Sequence, residues 1–143
     1  MTGEKVIFEK IEDNAKIPEK QHDTDVGYDI FSVEKVELAP EEIKLVRTGL
    51  KMKLPSALEA QIRPRSGYAL SGVSVLNTPG TIDPGYRGEV KVILANLVGD
   101  KKVIEEGDRI AQMVFKKVER PDLSLGNLDD TERGKGGFGS TGK

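Results

Sequence analysis

The sequence predicts an all-β subunit, a distorted jelly roll or β-sandwich, on three observations. Turn signals built from Pro, Gly, Asn and Asp recur at short intervals. The runs between them are rich in Val, Ile and Leu, and several alternate with period two. No segment sustains a helical apolar period over three turns, which argues against βαβ units.

The elements follow in order. Residues 5–11 (KVIFEKI) read as an opening strand, and the polar residues 12–25, with Pro18, as a loop. Residues 27–33 (GYDIFSV) form a short strand, and 36–38 and 43–48 two more, parted by Ala39-Pro40. Residues 50–54 (LKMKL) alternate, and 58–63 (LEAQIR) make a strand ended by Pro64. Residues 66–71 are expected to make one helical turn capped by Ser66. Strands at 73–76 and 90–97 flank a hairpin tip at 77–89, and 102–104 and 109–118 (RIAQMVFKKV) complete the set. Beyond Pro121 the apolar pattern fades, and the Gly-rich residues 133–143 are expected to be mobile without ligand. The expected division is a domain over 1–132 and a tail over 133–143 that closes the site.

A chain of 143 residues suits one domain with a modest core. Only 36% is hydrophobic and 5% aromatic, without Trp, which is thin for a self-sufficient monomer and points to a buried subunit interface. The net charge of −2 offers no global basic field for nucleic acid or membrane, so neither is expected as a partner. The absence of Cys excludes disulfides, thiolate catalysis and Cys-ligated metals, and fits a cytoplasmic location. No apolar run approaches the ~20 residues of a bilayer span, and the N-terminus lacks a signal-peptide core.

Chemistry concentrates in five places. In 77–89 the pairs Pro79-Gly80 and Pro84-Gly85 mark turns, with Gly expected at positive φ. Asp83 and Tyr86 then begin and end one turn, holding a carboxylate beside a ring that can orient a water and stack on a flat ligand. An ordinary solvated hairpin end is the competing account. Arg63-Pro64-Arg65-Ser66-Gly67 places two guanidinium forks beside a hydroxyl, suited to phosphate oxygens or simply to solvent. Asp23, Asp25 and Asp29 make an acidic cluster able to meet Mg2+ directly or through water. Gln112, among apolar neighbours, needs a partner for its amide. In the tail, 134–139 matches G-x-G-x-x-G and GFGSTGK resembles a phosphate loop, but no helix-forming run follows either. The glycine N–H groups with Arg133, Lys135, Ser140 and Thr141 can still wrap an anion, and Phe138 can cap a base. His22 is expected to be exposed in its loop, and Ser66 lacks the neighbours of an acyl-transfer nucleophile.

Together these segments resemble the trimeric dUTP pyrophosphatases, the dUTPases. Residues 25–29 (DVGYD), 63–67 (RPRSG), 80–89 (GTIDPGYRGE), 107–112 (GDRIAQ) and 133–140 (RGKGGFGS) are similar, in order, to the five motifs of that family. The resemblance implies a jelly-roll homotrimer with a C-terminal strand or tail exchanged between subunits, and sites built from all three chains. It implies hydrolysis of dUTP to dUMP and pyrophosphate, keeping uracil out of DNA and supplying dUMP for dTMP synthesis. Carried over by motif, Asp83 prepares the attacking water and Tyr86 stacks under the deoxyribose, excluding a 2′-hydroxyl. Asn77, Gly80, Thr81 and Ile82 read the uracil edge, and Lys91 adds a substrate contact. Arg65, Ser66, Gly67 and Gln112 hold the phosphates, and Asp29 meets Mg2+ through water. Arg133, Phe138, Gly139 and Ser140 close over the nucleotide. Two departures stand out: the stretch between Ser66 and Asn77 is one residue shorter than usual, and Tyr68 replaces a Leu. The alternatives are a dCTP deaminase-type or bifunctional enzyme on the same fold, and a non-catalytic nucleotide-responsive binding protein.

Overall fold

The computed structural model describes residues 4–140. Its strands are β1 (Ile7–Lys10), β2 (Tyr28–Phe31), β3 (Val36–Leu38), β4 (Ile43–Arg47), β5 (Leu50–Lys53), β6 (Leu58–Arg63), β7 (Val73–Val75), β8 (Gly80–Ile82), β9 (Lys91–Asn96), β10 (Lys102–Ile104) and β11 (Arg109–Lys117). One short helix, α1 (Ser66–Leu70), lies between β6 and β7.

The strands form a four-stranded sheet β2-β11-β6-β8, a three-stranded sheet β4-β9-β7, and the ribbons β1-β5 and β10-β3, all paired antiparallel. This is the predicted all-β sandwich class, and the reason is visible strand by strand. In β5 the apolar Leu50 and Met52 point inward while Lys51 and Lys53 face out. In β6 Ala60 and Ile62 are buried between polar neighbours. Such alternation leaves one face of each sheet dry, and each buried aliphatic side chain contributes about 1.5–3 kcal/mol. The shared core contains Ile30, Leu38, Val46, Leu94, Ile104 and Met113, all without significant exposure. The buried Asn96 is fully partnered: its amide donates to the carbonyls of Leu38, Ala39 and Asp100, and its oxygen accepts from Val98. It thereby ties the end of β9 to β3.

Three local expectations are corrected. The segment 77–89 is not a simple hairpin between β7 and β9. It contains β8, which leaves the β7–β9 sheet and pairs with β6 in the other. Gly80 opens that strand, and the preceding turn closes earlier, from Thr78 N–H to the Val75 carbonyl at 3.2 Å. The Asp83–Tyr86 turn does form, with Tyr86 N–H donating to the Asp83 carbonyl at 3.1 Å, but Gly85 is not at positive φ. The turn is therefore of the kind that most residues tolerate. Finally, Ser66 is the first helical residue, not the cap; Arg65 stands at the cap position and makes no side-chain capping bond. Among the described residues after β11, the chain is last fastened to the body by Val118 N–H on the Ala57 carbonyl and Arg120 on the Ser56 carbonyl. Among the described residues no helix is long and apolar enough to cross a membrane.

Candidate active site

Asn77, Gly80, Thr81, Ile82, Asp83, Tyr86 and Lys91 line a single cleft of about 350 Å³. Its floor includes Ile62, Val90 and Ile93, so it is apolar beneath and polar at the rim. The Tyr86 ring is fixed before any ligand arrives. Its hydroxyl donates to the Glu89 carbonyl at 2.7 Å, and the ring crosses Gly88 so closely that a Cβ there would lie 2.6 Å from Cζ. Arg87 closes the turn by donating to the Pro84 carbonyl at 2.6 Å. The base of the segment is anchored by Glu89, whose carboxylate takes Arg47 Nε at 3.1 Å and the Gly49 N–H at 2.9 Å. Arg47 also meets Glu12 at 2.8 Å, and these two carboxylates, Glu12 first, raise its already high pKa. Asp83 stands exposed at the cleft edge.

A second cluster forms at the far end of β6. Asp29 on β2 is only 8% exposed. Its Oδ1 accepts from Arg65 Nε at 3.1 Å, and its Oδ2 faces Arg109 Nε at 3.3 Å and accepts from Gln21 Nε2 at 2.8 Å. Arg63 is spent differently, donating to Gln61 Oε1 at 2.6 Å, whereas Arg65 is held by Asp29 and, through Nη1, by the Arg109 carbonyl at 3.5 Å. Gln112 donates to the Pro64 carbonyl at 2.9 Å, which supports the turn carrying Arg65, while Ser66 and Gly67 lie exposed beside it. Gly27 is required here, since a Cβ on residue 27 would overlap the Gln112 side-chain oxygen. Tyr68 joins Arg65, Asp108 and Arg109 around an opening of about 300 Å³. Burial, and then the Asp108 carboxylate, push its hydroxyl pKa up, with Arg65 opposing, so it remains a proton donor. Arg109 and Gln21 were not among the residues singled out in advance. Arg109 lies inside the 107–112 motif; Gln21 carries no sequence signal at all.

The acidic cluster is dispersed: Asp25 accepts from the His22 backbone and ring, and Asp29 faces the arginines. His22 is exposed, as expected. Among the described residues no three His, Cys, Asp or Glu side chains converge on a metal position. Magnesium, however, commonly keeps several waters and takes substrate phosphates as ligands. Asp29 Oδ1 accepts a single donor and has a lone pair left for a metal-bound water. These residues fit a cation that arrives with phosphates, not one caged by protein alone.

The described part of the tail closes turns on itself. Arg133 Nε donates to the Gly136 carbonyl at 2.9 Å, and Ser140 Oγ accepts from the Gly137 N–H at 2.8 Å. Phe138 is fully exposed at a φ of 50° beside Gly139 at 79°. Thr141 and the rest of the tail lie outside the described residues.

The two clusters are not brought together within one chain. Register places Asp29, Gln112 and Arg63 side by side, whereas Asp83 continues β8 to the level of Glu59. Three strand spacings across and four residues along amount to about 20 Å.

A dUTPase family model matches residues 13–142. The deoxyuridine 5'-triphosphate nucleotidohydrolase of Clostridium novyi (strain NT) is 53% identical over 144 residues, covering 96% of this chain and 99% of the relative. That of Crocosphaera subtropica is 53% identical over 135 residues, covering 93% and 95%. Among solved structures, the Staphylococcus bacteriophage 80alpha dUTPase with dUPNHPP superposes with a TM-score of 0.88 at 29% identity, covering 97% of this chain and 99% of that one. A dUTPase variant from phage phi11 of S. aureus, whose structure describes the coordination of a structural Mg(II) ion, gives 0.80 at 26%, covering 89% and 99%. A family model spanning the chain from the first loop to the tail, and relatives identical at half of their positions, place this protein in the dUTPase family.

Proposed function

We propose that the protein hydrolyses dUTP to dUMP and pyrophosphate, keeping uracil out of DNA and supplying dUMP for dTMP synthesis. One observation carries most of the weight: Asp83 and Tyr86 are locked in one turn at the rim of the cleft that Asn77 and β8 also line. In this reading the uracil lies in that cleft. The backbone of Gly80, Thr81 and Ile82 and the Asn77 amide meet its edge, and Lys91 meets the substrate at the rim. Tyr86, already fixed by Glu89 and Gly88, packs under the sugar and leaves no room for a 2′-hydroxyl.

Asp83 aligns a water for in-line attack on the α-phosphorus and accepts its proton. A bond forms between the water oxygen and phosphorus, the bond to the α,β-bridging oxygen breaks, and pyrophosphate leaves with that electron pair. Such transfers depend on positioning and on relief of charge at the oxygens. Arg65, Ser66, Gly67 and Gln112 hold the phosphates. Bound Mg2+ would lower the charge on the triphosphate, with Asp29 reaching it through water.

The ~20 Å between Asp83 and the Asp29–Arg65 cluster supports a homotrimer in which one copy supplies the cleft and another the phosphate clamp. The outward Ile43, 55% exposed, supports a covered face, whereas the equally exposed Leu45 lines the cleft itself. Among the described residues, the exposed Phe138 and the lack of bonds to the body beyond Arg120 support a separate tail, 133–143, that reaches a neighbouring site beyond its own 1–132 body. There Arg133 and Ser140 would meet the γ-phosphate and Phe138 and Gly139 the base. The test is pyrophosphate release from dUTP, UTP, dTTP and dCTP in Mg2+, with ammonia measured in the dCTP reaction. Release confined to dUTP is expected; ammonia from dCTP, or no release from dUTP, would overturn the proposal.

A further inference from the structure

We infer that Gln21 is a positioning residue for the phosphate clamp, acting on Arg65 through Asp29. This rests on the reading of Arg65 as a phosphate ligand. Gln21 belongs to a loop that composition marks only as polar, yet the loop is delivered onto β2 by a two-way backbone bridge. Asp29 N–H donates to the Glu19 carbonyl at 2.7 Å, and Glu19 N–H donates back at 3.1 Å. Two residues further on, Gln21 Nε2 reaches Asp29 Oδ2 at 2.8 Å. The following turn is closed by Asp25 N–H on the His22 carbonyl, and by His22 N–H on the Asp25 carboxylate.

A carboxylate only accepts, so Gln21 must present its NH2 group, which sets its amide orientation. With Gln21 on Oδ2, the carboxylate plane is fixed and Oδ1 is aimed at Arg65 Nε, 3.1 Å away. The guanidinium thus has its Nε satisfied by Asp29 and its Nη1 in a long 3.5 Å contact with the Arg109 carbonyl, which leaves Nη2 as the nitrogen a phosphate would meet first. Arg109 Nε meets the same Oδ2 at 3.3 Å. Without Gln21, Asp29 is free to rotate toward Arg109, and Arg65 loses its backstop. An arginine held in advance gives up less rotamer freedom on meeting an anion than one that must be ordered by it. Gln21 touches no expected ligand position itself and its side chain is largely exposed, so replacing it leaves the core intact.

The experiment uses the full chain with Gln21→Ala and Gln21→Glu. The second keeps the length but sets a carboxylate against Asp29 and removes the donor. The expected result for Gln21→Ala is a KM for dUTP raised about five- to tenfold, the size of one ordinary hydrogen bond because the effect reaches the phosphate only through Arg65, with kcat within about twofold. Gln21→Glu should be worse in KM by a further factor. Affinity for a non-hydrolysable dUTP analogue, measured calorimetrically, should fall in parallel while that for deoxyuridine stays unchanged. An unchanged KM, or equal weakening of analogue and deoxyuridine, would overturn the inference, because a merely structural loop would affect both ligands alike. If the unaltered protein released no pyrophosphate, the proposed function would fail, and the analogue and deoxyuridine titrations would still judge Gln21 on their own.

Discussion

Replacing Gly27 by Ala should disable a residue 85 positions away in sequence. A Cβ at 27 would overlap Gln112 Oε1 and lie 3.0 Å from Cδ and 3.3 Å from Cβ of that side chain. The contact is with the end of a flexible chain, so the backbone holds and the amide swings aside. Its 2.9 Å bond to the Pro64 carbonyl is then lost. A partly buried hydrogen bond of this kind is worth about 1 kcal/mol, so melting should fall by about 3–6 °C. With Gln112 in its proposed role as a phosphate ligand, losing its amide together with the support for the Arg65 turn should lower kcat/KM by roughly tenfold to a hundredfold. The decisive measurement is the cycle with Gln112→Ala. If Gly27 acts only by making room for that amide, the double variant should lose no more activity than Gln112→Ala alone. Additive losses would refute the reasoning.

Asp83→Ala should cut kcat by about 10³-fold or more while a non-hydrolysable dUTP analogue still binds, because the proton acceptor is removed but not the phosphate clamp; near-native turnover would remove Asp83 from its role. Tyr86→Ala should narrow the preference for dUTP over UTP by about tenfold, read as a ratio of kcat/KM values, and unchanged discrimination would discard the steric account. Truncation after Glu132 should lower kcat by about 10²-fold or more with trimers intact in light scattering, whereas dissociation to monomers would mean that the tail holds the assembly together.

The strands that alternate against one dry face were readable in the sequence. Residues 50–54 became β5 with Leu50 and Met52 inward, and residues 58–63 became β6 without a change of boundary. The Asp83–Tyr86 turn was readable because Pro-Gly chemistry is local. What escaped depends on distant partners. The three residues of β8 are too short for a period and are bracketed by turn residues, so only their pairing with β6 reveals a strand. Ser66 has the chemistry of a cap, but the chain enters the helix one residue earlier, with Arg65 drawn toward Asp29. The pairing of Gln21 with Asp29 was hidden for the same reason: a backbone bridge at Glu19, invisible to composition, sets where the loop lands. The tail could be read as glycine-rich, and the structure adds that its turns close on themselves.

The wide spacing between Asp83 and the arginine pair has a genetic consequence. If a working centre borrows its parts from more than one copy, damage to either end is not private to the chain that bears it. A variant crippled at Asp83 and another crippled at Arg65 would each be inert when pure. Once unfolded together and allowed to reassemble, they would generate some centres in which every part is sound. Conversely, a defective copy made beside a healthy one would spoil centres that the healthy copy could otherwise have completed.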